Sequence, residues 1–148
     1  MQRHRVMVID DSLIVLKSVR TLLEASGFEV FTRSEAIGSG AEIVRERPDV
    51  VLVDVNMPLI EGPELVASLR RHPRLANTRV LLHSTRPEDE LARLAKECGA
   101  DGFVRKTAAA EVLPRRLRAL LGGDLEPGTT PALPVLVSNT RPRAGGAL

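Results

Sequence analysis

The sequence predicts an α/β protein with one doubly wound, five-stranded parallel sheet and helices on both of its faces. Short apolar runs alternate five times with segments of helical period, as expected for strands joined by crossover helices. The run at 50–53 (VVLV) is continuously apolar, which is typical of a strand buried on both faces. With 148 residues and 43% hydrophobic content, the chain suits one domain of ordinary size.

The first unit is a strand, a helix and an edge strand. Arg5–Ile9 is apolar and rich in β-branched residues, which favours a strand. Apolar residues then recur at helical spacing up to a stop at Gly27; they are Leu13, Ile14, Leu16, Val19, Leu22 and Leu23. Phe28–Thr32 alternates in polarity, so we expect a half-exposed edge strand.

The middle of the chain contains the second and third helices around the third strand. The second helix is predicted over about 39–47; Gly38 and Gly40 weaken its start, and Pro48 ends it. Val50–Val53 is the third strand. Pro63 suits the first turn of a third helix that runs to about Arg71.

The remaining elements are two strands and two helices. Val80–Leu82 and Gly102–Arg105 are the predicted strands, and Pro87–Cys98 is the helix between them. A last helix ends at Gly122 and Gly123. Pro114 lies inside its pattern, so either this helix begins near Leu113 or its first turns are distorted.

The composition changes at residue 122. Residues 122–148 hold four of the ten prolines and five of the eleven glycines. We therefore predict a domain over residues 4–121 and a flexible Pro/Gly-rich tail over 122–148, which is dispensable for folding from about Asp124. The tail is too short to form an output domain.

The overall composition argues against several classes of function. The formal charge is only +2 and the chain has no Trp or Tyr, so we expect no direct binding of nucleic acid. No apolar run is long enough for a membrane span, and the N-terminus does not resemble a signal peptide. Cys98 is the only cysteine, which favours a reducing, cytoplasmic location.

Polar side chains follow four of the predicted strands where each strand ends. They are Asp10 and Asp11 after the first strand, Asp54 at the end of the third, Ser84 and Thr85 after the fourth, and Lys106 after the fifth. The carboxyl ends of parallel strands share one edge, and open α/β sheets bind ligands at that edge. We therefore expect these side chains to form one site.

The predicted site has the chemistry of phosphoryl transfer. Carboxylates this close repel each other by on the order of 4 kcal/mol per pair, which a bound cation would relieve. Oxygen ligands without His or Cys suit Mg²⁺. A lysine could hold an anion beside the metal, a hydroxyl could donate a hydrogen bond, and one carboxylate could act as nucleophile.

These residues carry a resemblance to the receiver domains of bacterial two-component response regulators. The matching stretches are VMVIDDS, VLVDVNMPLIEG, VLLHST and GADGFVRK, within about residues 4–121. The spacings from Asp11 to Asp54, from Asp54 to Ser84 and from Ser84 to Lys106 are 43, 30 and 22 residues, as in that family. The resemblance implies a flavodoxin-like sheet of strand order 2-1-3-4-5, an order that the sequence alone does not supply.

The resemblance also implies a role for each site residue. Asp54 is the phosphoacceptor, and Lys106 pairs with the phosphoryl group. Asp11 binds Mg²⁺ directly, Asp10 assists, and Asp54 and the Asn56 carbonyl complete the protein ligands. Ser84 is the switch hydroxyl, favoured over Thr85 by its spacing, and Phe103 is the aromatic residue that changes rotamer on activation.

This chain departs from the family pattern in the loops around the site. Thr107 follows Lys106 where proline is usual, so we predict a trans peptide bond there. Thr85 stands where a small residue is usual, and Glu61 stands where Asp is commoner. We expect Thr85 and Arg86 to restrict access to the phosphoryl group and to lengthen its lifetime.

Several residues also have simpler structural explanations. Asp11 is expected to cap the first helix as well as to serve the site. His83 precedes Ser84, so strand alternation turns it to the opposite face, where we expect it to pack; Cys98 is expected to be an inert buried thiol. The basic run on the last helix is either a solvated face or a surface for an acidic partner; it comprises Arg115, Arg116 and Arg118.

Three functions are compatible with this pattern. The first is a phosphorylation-dependent switch, not an enzyme acting on other substrates, which accepts a phosphoryl group from a histidine kinase or phosphotransfer protein. Such a switch would signal to an unidentified partner and could dimerise through the face formed by helix 4, strand 5 and helix 5. The second is an adaptor that works unphosphorylated. The third is a metal-dependent phosphohydrolase, although haloacid-dehalogenase-type enzymes carry D-x-D on their first strand and this chain does not.

Overall fold

The computed structural model describes residues 3–122, so the predicted tail, apart from its first residue Gly122, lies outside the described residues. Five strands alternate with five helices. The strands are β1 (Arg5–Ile9), β2 (Glu29–Arg33), β3 (Val50–Asp54), β4 (Arg79–Ser84) and β5 (Gly102–Arg105). The helices are α1 (Leu13–Ala25), α2 (Ser39–Glu46), α3 (Gly62–Arg71), α4 (Glu88–Cys98) and α5 (Val112–Leu120).

The strands form one parallel sheet in the order β2-β1-β3-β4-β5, which confirms the predicted fold class. The order reverses between β1 and β3, which lie side by side with Ile9 opposite Val53. This pairing brings the residues that follow β1 next to the end of β3. Open α/β sheets bind ligands at this reversal point.

Two apolar clusters lie on opposite faces of the sheet. One packs α2, α3 and α4 against alternate strand residues such as Met7, Val51 and Leu82. The other packs α1 and α5 against the intervening residues, among them Val8 and Leu52. All five residues of β3 are buried, as the apolar run predicts, and the helices cover both faces.

Two strand boundaries differ from the predictions, and the start of α5 decides between two alternatives. β2 begins at Glu29 because Phe28 is buried in the cluster of α1 and α5 instead of pairing in the sheet. β4 extends to Ser84, so the predicted switch hydroxyl closes the strand. Pro114 is the third residue of α5, where its missing N–H would have no intrahelical acceptor; the start of this helix agrees with the first of the two alternatives.

Ser12, not Asp11, caps α1. The Ser12 Oγ accepts a hydrogen bond from the Val15 N–H at 3.2 Å, and the Ser12 N–H donates to Asp10 Oδ1 at 2.9 Å. The prediction that Asp11 caps this helix is therefore wrong, and its carboxylate is exposed. None of the helices within residues 3–122 has the length and apolar character that crossing a bilayer requires.

Candidate phosphoryl-transfer site

Three carboxylates meet at the carboxyl edge of the sheet. Asp10, Asp11 and Asp54 each offer a ligand oxygen, and these oxygens lie within 4.8 Å of one another. Asp10 and Asp54 are buried, whereas Asp11 is exposed. The cluster arises because β1 and β3 are neighbours and end at the same level. The structure therefore brings together the three acids that the sequence placed at strand ends.

Lys106 neutralises part of this charge. Its Nζ lies 2.7 Å from Asp10 Oδ2 and donates to Asp54 Oδ1 at 3.1 Å. The backbone N–H of Lys106 donates to the Ser84 carbonyl at 2.7 Å, which fixes the start of the loop after β5. One ammonium group thus bridges two buried carboxylates from different strands.

The surroundings of the cluster shift the pKa values of Asp54 and Lys106, and both shifts favour the protonated form. Burial, followed by the nearby charge of Asp10, raises the pKa of Asp54, although Lys106 acts in the opposite direction. Burial alone would lower the pKa of Lys106, but its contacts with Asp10 and Asp54 outweigh this effect, and the pKa is raised. Ionisation of Asp54 beside Asp10 is therefore less favourable than ionisation of a free carboxyl group.

A tight turn follows Asp54. Asn56 is exposed, and the Gly62 N–H donates to the Val55 carbonyl at 2.9 Å, which closes the loop onto the end of β3. Gly62 lies directly against the backbone: a Cβ atom there would come within 2.2 Å of the Asp54 carbonyl oxygen. Glycine at this position lets α3 begin immediately beside the site.

The loop between β4 and α4 is held by two arginines. Ser84 is buried, and its Oγ accepts a hydrogen bond from the Arg86 N–H at 3.0 Å. Arg105 donates to the carbonyl of Arg86 at 3.0 Å and to that of Thr85 at 3.3 Å. The Arg86 side chain donates to Asn56 Oδ1 at 3.2 Å, so it reaches from this loop to the loop after β3.

Sequence reasoning missed the roles of Arg105 and Glu90 in this loop. Glu90 pairs with Arg86 at 2.6 Å, and its position four residues after Arg86 was a signal that could have found it. The bonds of Arg105 to loop carbonyls have no comparable sequence signal, since they depend on tertiary placement.

The structure confirms some of the remaining predictions and corrects others. Phe103 is buried in the cluster of α2, α3 and α4. The described residues contain no cis peptide bond, so Lys106–Thr107 is trans as predicted. Cys98 is only partly buried, although burial raises the pKa of its thiol. Of the basic run, Arg116 is partly buried and donates to the Phe103 carbonyl, so neither the solvated face nor the partner surface describes this residue fully, whereas Arg115 and Arg118 are exposed.

His83 packs beneath the site. It pairs in register with Asp54, so both side chains point to the face of α1 and α5, opposite to Ser84. It is buried and lines a cavity of about 220 Å³ between α1, β5 and α5. Burial, and then the charge of Lys106, lowers the pKa of His83 from 6.5 to about 3. His83 is therefore a neutral packing residue, as predicted.

We expect His83 to make the fold sensitive to acid. Its folded pKa lies below the unfolded value, so its contribution to stability is fully present above pH 6.5 and is lost as the pH falls toward 3. Near pH 4.5 the loss should be about 2–3 kcal/mol. The replacement His83→Leu should remove this loss at little cost near neutral pH, because His83 Nδ1 has no hydrogen-bond partner within residues 3–122.

Urea unfolding of the wild type and of His83→Leu, each near pH 7.5 and pH 4.5, measures this effect. His72→Leu is the matched control, because His72 is exposed at the end of α3. An equal fall in stability in the wild type and in His83→Leu would contradict the assignment.

Known proteins of similar sequence support the assignment of this fold and site. Residues 6–118 match the family model of the response regulator receiver domain. The transcriptional regulatory protein PrrA of Mycobacterium tuberculosis is 35% identical over 117 residues, which cover 79% of this chain and 49% of PrrA. The transcription regulator BvgA of Bordetella pertussis is 31% identical over 121 residues, which cover 81% of this chain and 57% of BvgA.

Solved structures show the same fold. The chemotaxis protein CheY4 of Vibrio cholerae superposes with a TM-score of 0.74 at 30% identity, covering 80% of this chain and 98% of CheY4. A LuxR-family response regulator from Aurantimonas gives a TM-score of 0.75 at 27% identity, covering 82% of this chain and 86% of that one. The chain spans about half the length of the curated relatives it matches. The chain belongs to the response regulator receiver domain family of two-component signalling systems.

Proposed function

We propose that this chain is a phosphorylation-dependent signalling switch in which Asp54 accepts the phosphoryl group. The observation that carries the proposal is the Lys106 ammonium group between the buried carboxylates of Asp10 and Asp54. A structural ion pair needs one carboxylate. Here one lysine contacts two of three clustered acids, an arrangement that leaves negative charge for a cation to balance.

The donor set of the site fits Mg²⁺. All the candidate side-chain ligands are carboxylate oxygens, and the exposure of Asp11 leaves room for the waters that this ion retains. Asp10, Asp11 and Asp54 would hold it, together with the main-chain carbonyl of Asn56. When bound, the ion would neutralise charge on the transferring phosphoryl group.

The protein's own residues would carry out the transfer. An Asp54 carboxylate oxygen attacks the phosphorus of the donor, and the bond from phosphorus to the donor's leaving atom breaks. Lys106 then exchanges its contact with Asp54 for a phosphoryl oxygen, and Ser84 Oγ donates a hydrogen bond to another. Ser84 and Phe103 would shift together, which changes the face formed by α4, β5 and α5.

A histidine kinase or a phosphotransfer protein would supply the phosphoryl group in the cytoplasm. A downstream protein would then bind the altered face formed by α4, β5 and α5. A homodimer could form on the same face.

The adaptor hypothesis predicts that the chain signals without accepting phosphate. The phosphohydrolase hypothesis predicts repeated turnover of added phosphate esters. We favour the switch because the acceptor carboxylate lies beside the Lys106 ammonium group, which can hold the transferred phosphoryl group.

Incubation with acetyl phosphate and Mg²⁺ tests the proposal. We expect one added phosphate per chain, in an adduct stable to acid and labile to base, as an acyl phosphate should be. Intact-protein mass spectrometry measures the adduct, and EDTA should prevent its formation. Equal labelling with and without EDTA would contradict the role of the metal; no labelling would support the adaptor.

We also expect Thr85 and Arg86 to lengthen the life of the acyl phosphate. Thr85 lies at the surface of the loop, and Arg86 reaches across it to Asn56. Attack by water requires an in-line approach, so Thr85→Ala and Arg86→Ala should each lose phosphate several-fold faster. The measurement is the dephosphorylation rate in Mg²⁺ without a phosphatase; equal or slower loss in both variants would locate the control of lifetime elsewhere.

A further inference from the structure

The Arg86 side chain is shared between two loops and the first turn of α4. Its Nε donates to Asn56 Oδ1 at 3.2 Å, and its Nη1 donates to Glu90 Oε2 at 2.6 Å. Both members of the ion pair are about 30% exposed, so water screens the pair only in part. The guanidinium is therefore held at the rim of the acidic cluster by two acceptors on different elements.

The two acceptors, Asn56 and Glu90, lie in segments that a phosphoryl group on Asp54 would affect: the loop after β3 and the first turn of α4. Asn56 is two residues beyond Asp54, and Glu90 lies in the first turn of α4, which begins at Glu88. An arginine can pair bidentately with phosphoryl oxygens, and such a contact is stronger than a bond to a neutral amide. A phosphoryl group on Asp54 would therefore compete with Glu90 and Asn56 for the same guanidinium group.

We propose that Glu90 is a positioning residue that holds Arg86 away from the phosphoryl group, and that phosphorylation transfers Arg86 from Glu90 to that group. The first turn of α4 then loses its ion pair at the moment the site is phosphorylated. Glu90 thus sets how readily Arg86 shields the acyl phosphate and links that event to α4. The inference rests on the proposed function of Asp54.

Two features make this exchange local to one side chain. The backbone of the loop is held independently of the Arg86 side chain, since the Arg86 N–H donates to Ser84 Oγ and Arg105 holds the Arg86 carbonyl. The first hydrogen bond of α4, from the Leu91 N–H to the Pro87 carbonyl at 3.0 Å, adjoins Glu90. Release of Glu90 should therefore loosen this turn without unfolding the loop.

Dephosphorylation rates test the competition. Hydrolysis breaks the bond between phosphorus and the Asp54 oxygen as water adds to phosphorus, and the carboxylate is regenerated. Glu90→Gln frees Arg86 and should slow this loss several-fold, whereas Arg86→Ala should speed it. In the double variant the effect of Glu90→Gln should disappear, because no guanidinium is left to release.

Asp89→Asn is the matched control. Asp89 is exposed in the same turn, so its replacement makes the same change in charge and the same change in interaction with the helix dipole. It should leave the lifetime unchanged. Equal lifetimes in Glu90→Gln and Asp89→Asn, or an undiminished effect of Glu90→Gln in the Arg86→Ala background, would overturn this inference alone. Absence of an adduct in the wild type would overturn the proposed function with it.

Hydrogen exchange of the Leu91 amide gives a second readout that does not depend on turnover. With Mg²⁺ and beryllofluoride as the phosphoryl mimic, exchange should accelerate in the wild type and in Asp89→Asn. In Glu90→Gln it should already be fast without the mimic, and in Arg86→Ala the mimic should produce no further change. Acceleration of the same size in Arg86→Ala and the wild type would show that α4 senses the phosphoryl group by another route.

Discussion

The variant Asp54→Asn should form no acyl phosphate under conditions in which the wild type is fully labelled. A side-chain amide is nearly the same size as a carboxylate, but it lacks the charged oxygen that attacks phosphorus. The change also removes one of the three acids that would hold the metal. We expect loss of all detectable transfer from acetyl phosphate, measured by intact-protein mass spectrometry.

The loss should not result from unfolding. Burial and Asp10 raise the pKa of Asp54, so ionising this carboxyl costs more in the folded chain than in the unfolded chain, and a neutral amide removes that penalty. Lys106 keeps its contact with Asp10 at 2.7 Å. Thermal unfolding should therefore occur at or above the wild-type temperature. An adduct that persists in Asp54→Asn would move the acceptor to another residue; Asp89→Asn, at an exposed position, should label normally.

The clustering of the site residues could be predicted because polar residues stand at or directly after the ends of four strands. Once the strands are parallel, Asp10, Asp54 and Lys106 must share one edge, whatever the strand order. The order itself could not be read from the chain, since β1 and β3 are equally apolar and nothing local pairs them. Resemblance to a family supplied it, and the structure confirms it.

Errors at the boundaries arose where two local preferences compete. Asp11 and Ser12 are both good helix caps, and the sequence does not distinguish them. Ser12 is the cap because the Asp10 carboxylate holds its N–H, which leaves the Ser12 hydroxyl directed at Val15. Likewise Phe28 suits the alternation of β2, but burial against α1 outweighs pairing in an edge strand.

The contacts that could not be predicted from the sequence join elements that are distant along the chain. Arg105 is an ordinary strand residue in the sequence, and its two bonds to loop carbonyls exist only because β5 lies beside β4. The pairing of Arg86 with Asn56 joins residues 30 positions apart. Periodicity and motif spacing report which face a residue occupies, not which acceptor a long side chain finds.

The variant Gly62→Ala should destabilise the fold and displace the acceptor. A Cβ atom at this position would lie 2.2 Å from the Asp54 carbonyl oxygen, 2.9 Å from Val55 Cα and 3.0 Å from the Asp54 carbonyl carbon. These are backbone atoms, so no side-chain rotation can relieve the overlap. The start of α3 must move away from β3, which would break the hydrogen bond from the Gly62 N–H to the Val55 carbonyl at 2.9 Å.

We expect Gly62→Ala to lower the free energy of unfolding by about 2–3 kcal/mol and to slow labelling of Asp54 even where the chain remains folded. Urea unfolding and the rate of labelling by acetyl phosphate measure the two effects. Gly40→Ala is the matched control, because in α2 its nearest neighbour would be Leu69 Cδ2 at 4.0 Å, an ordinary contact. That variant should gain roughly 0.5–1 kcal/mol from helix propensity and label normally. Wild-type stability and labelling in Gly62→Ala would show that the loop tolerates a side chain, and that the close approach of α3 does not position Asp54.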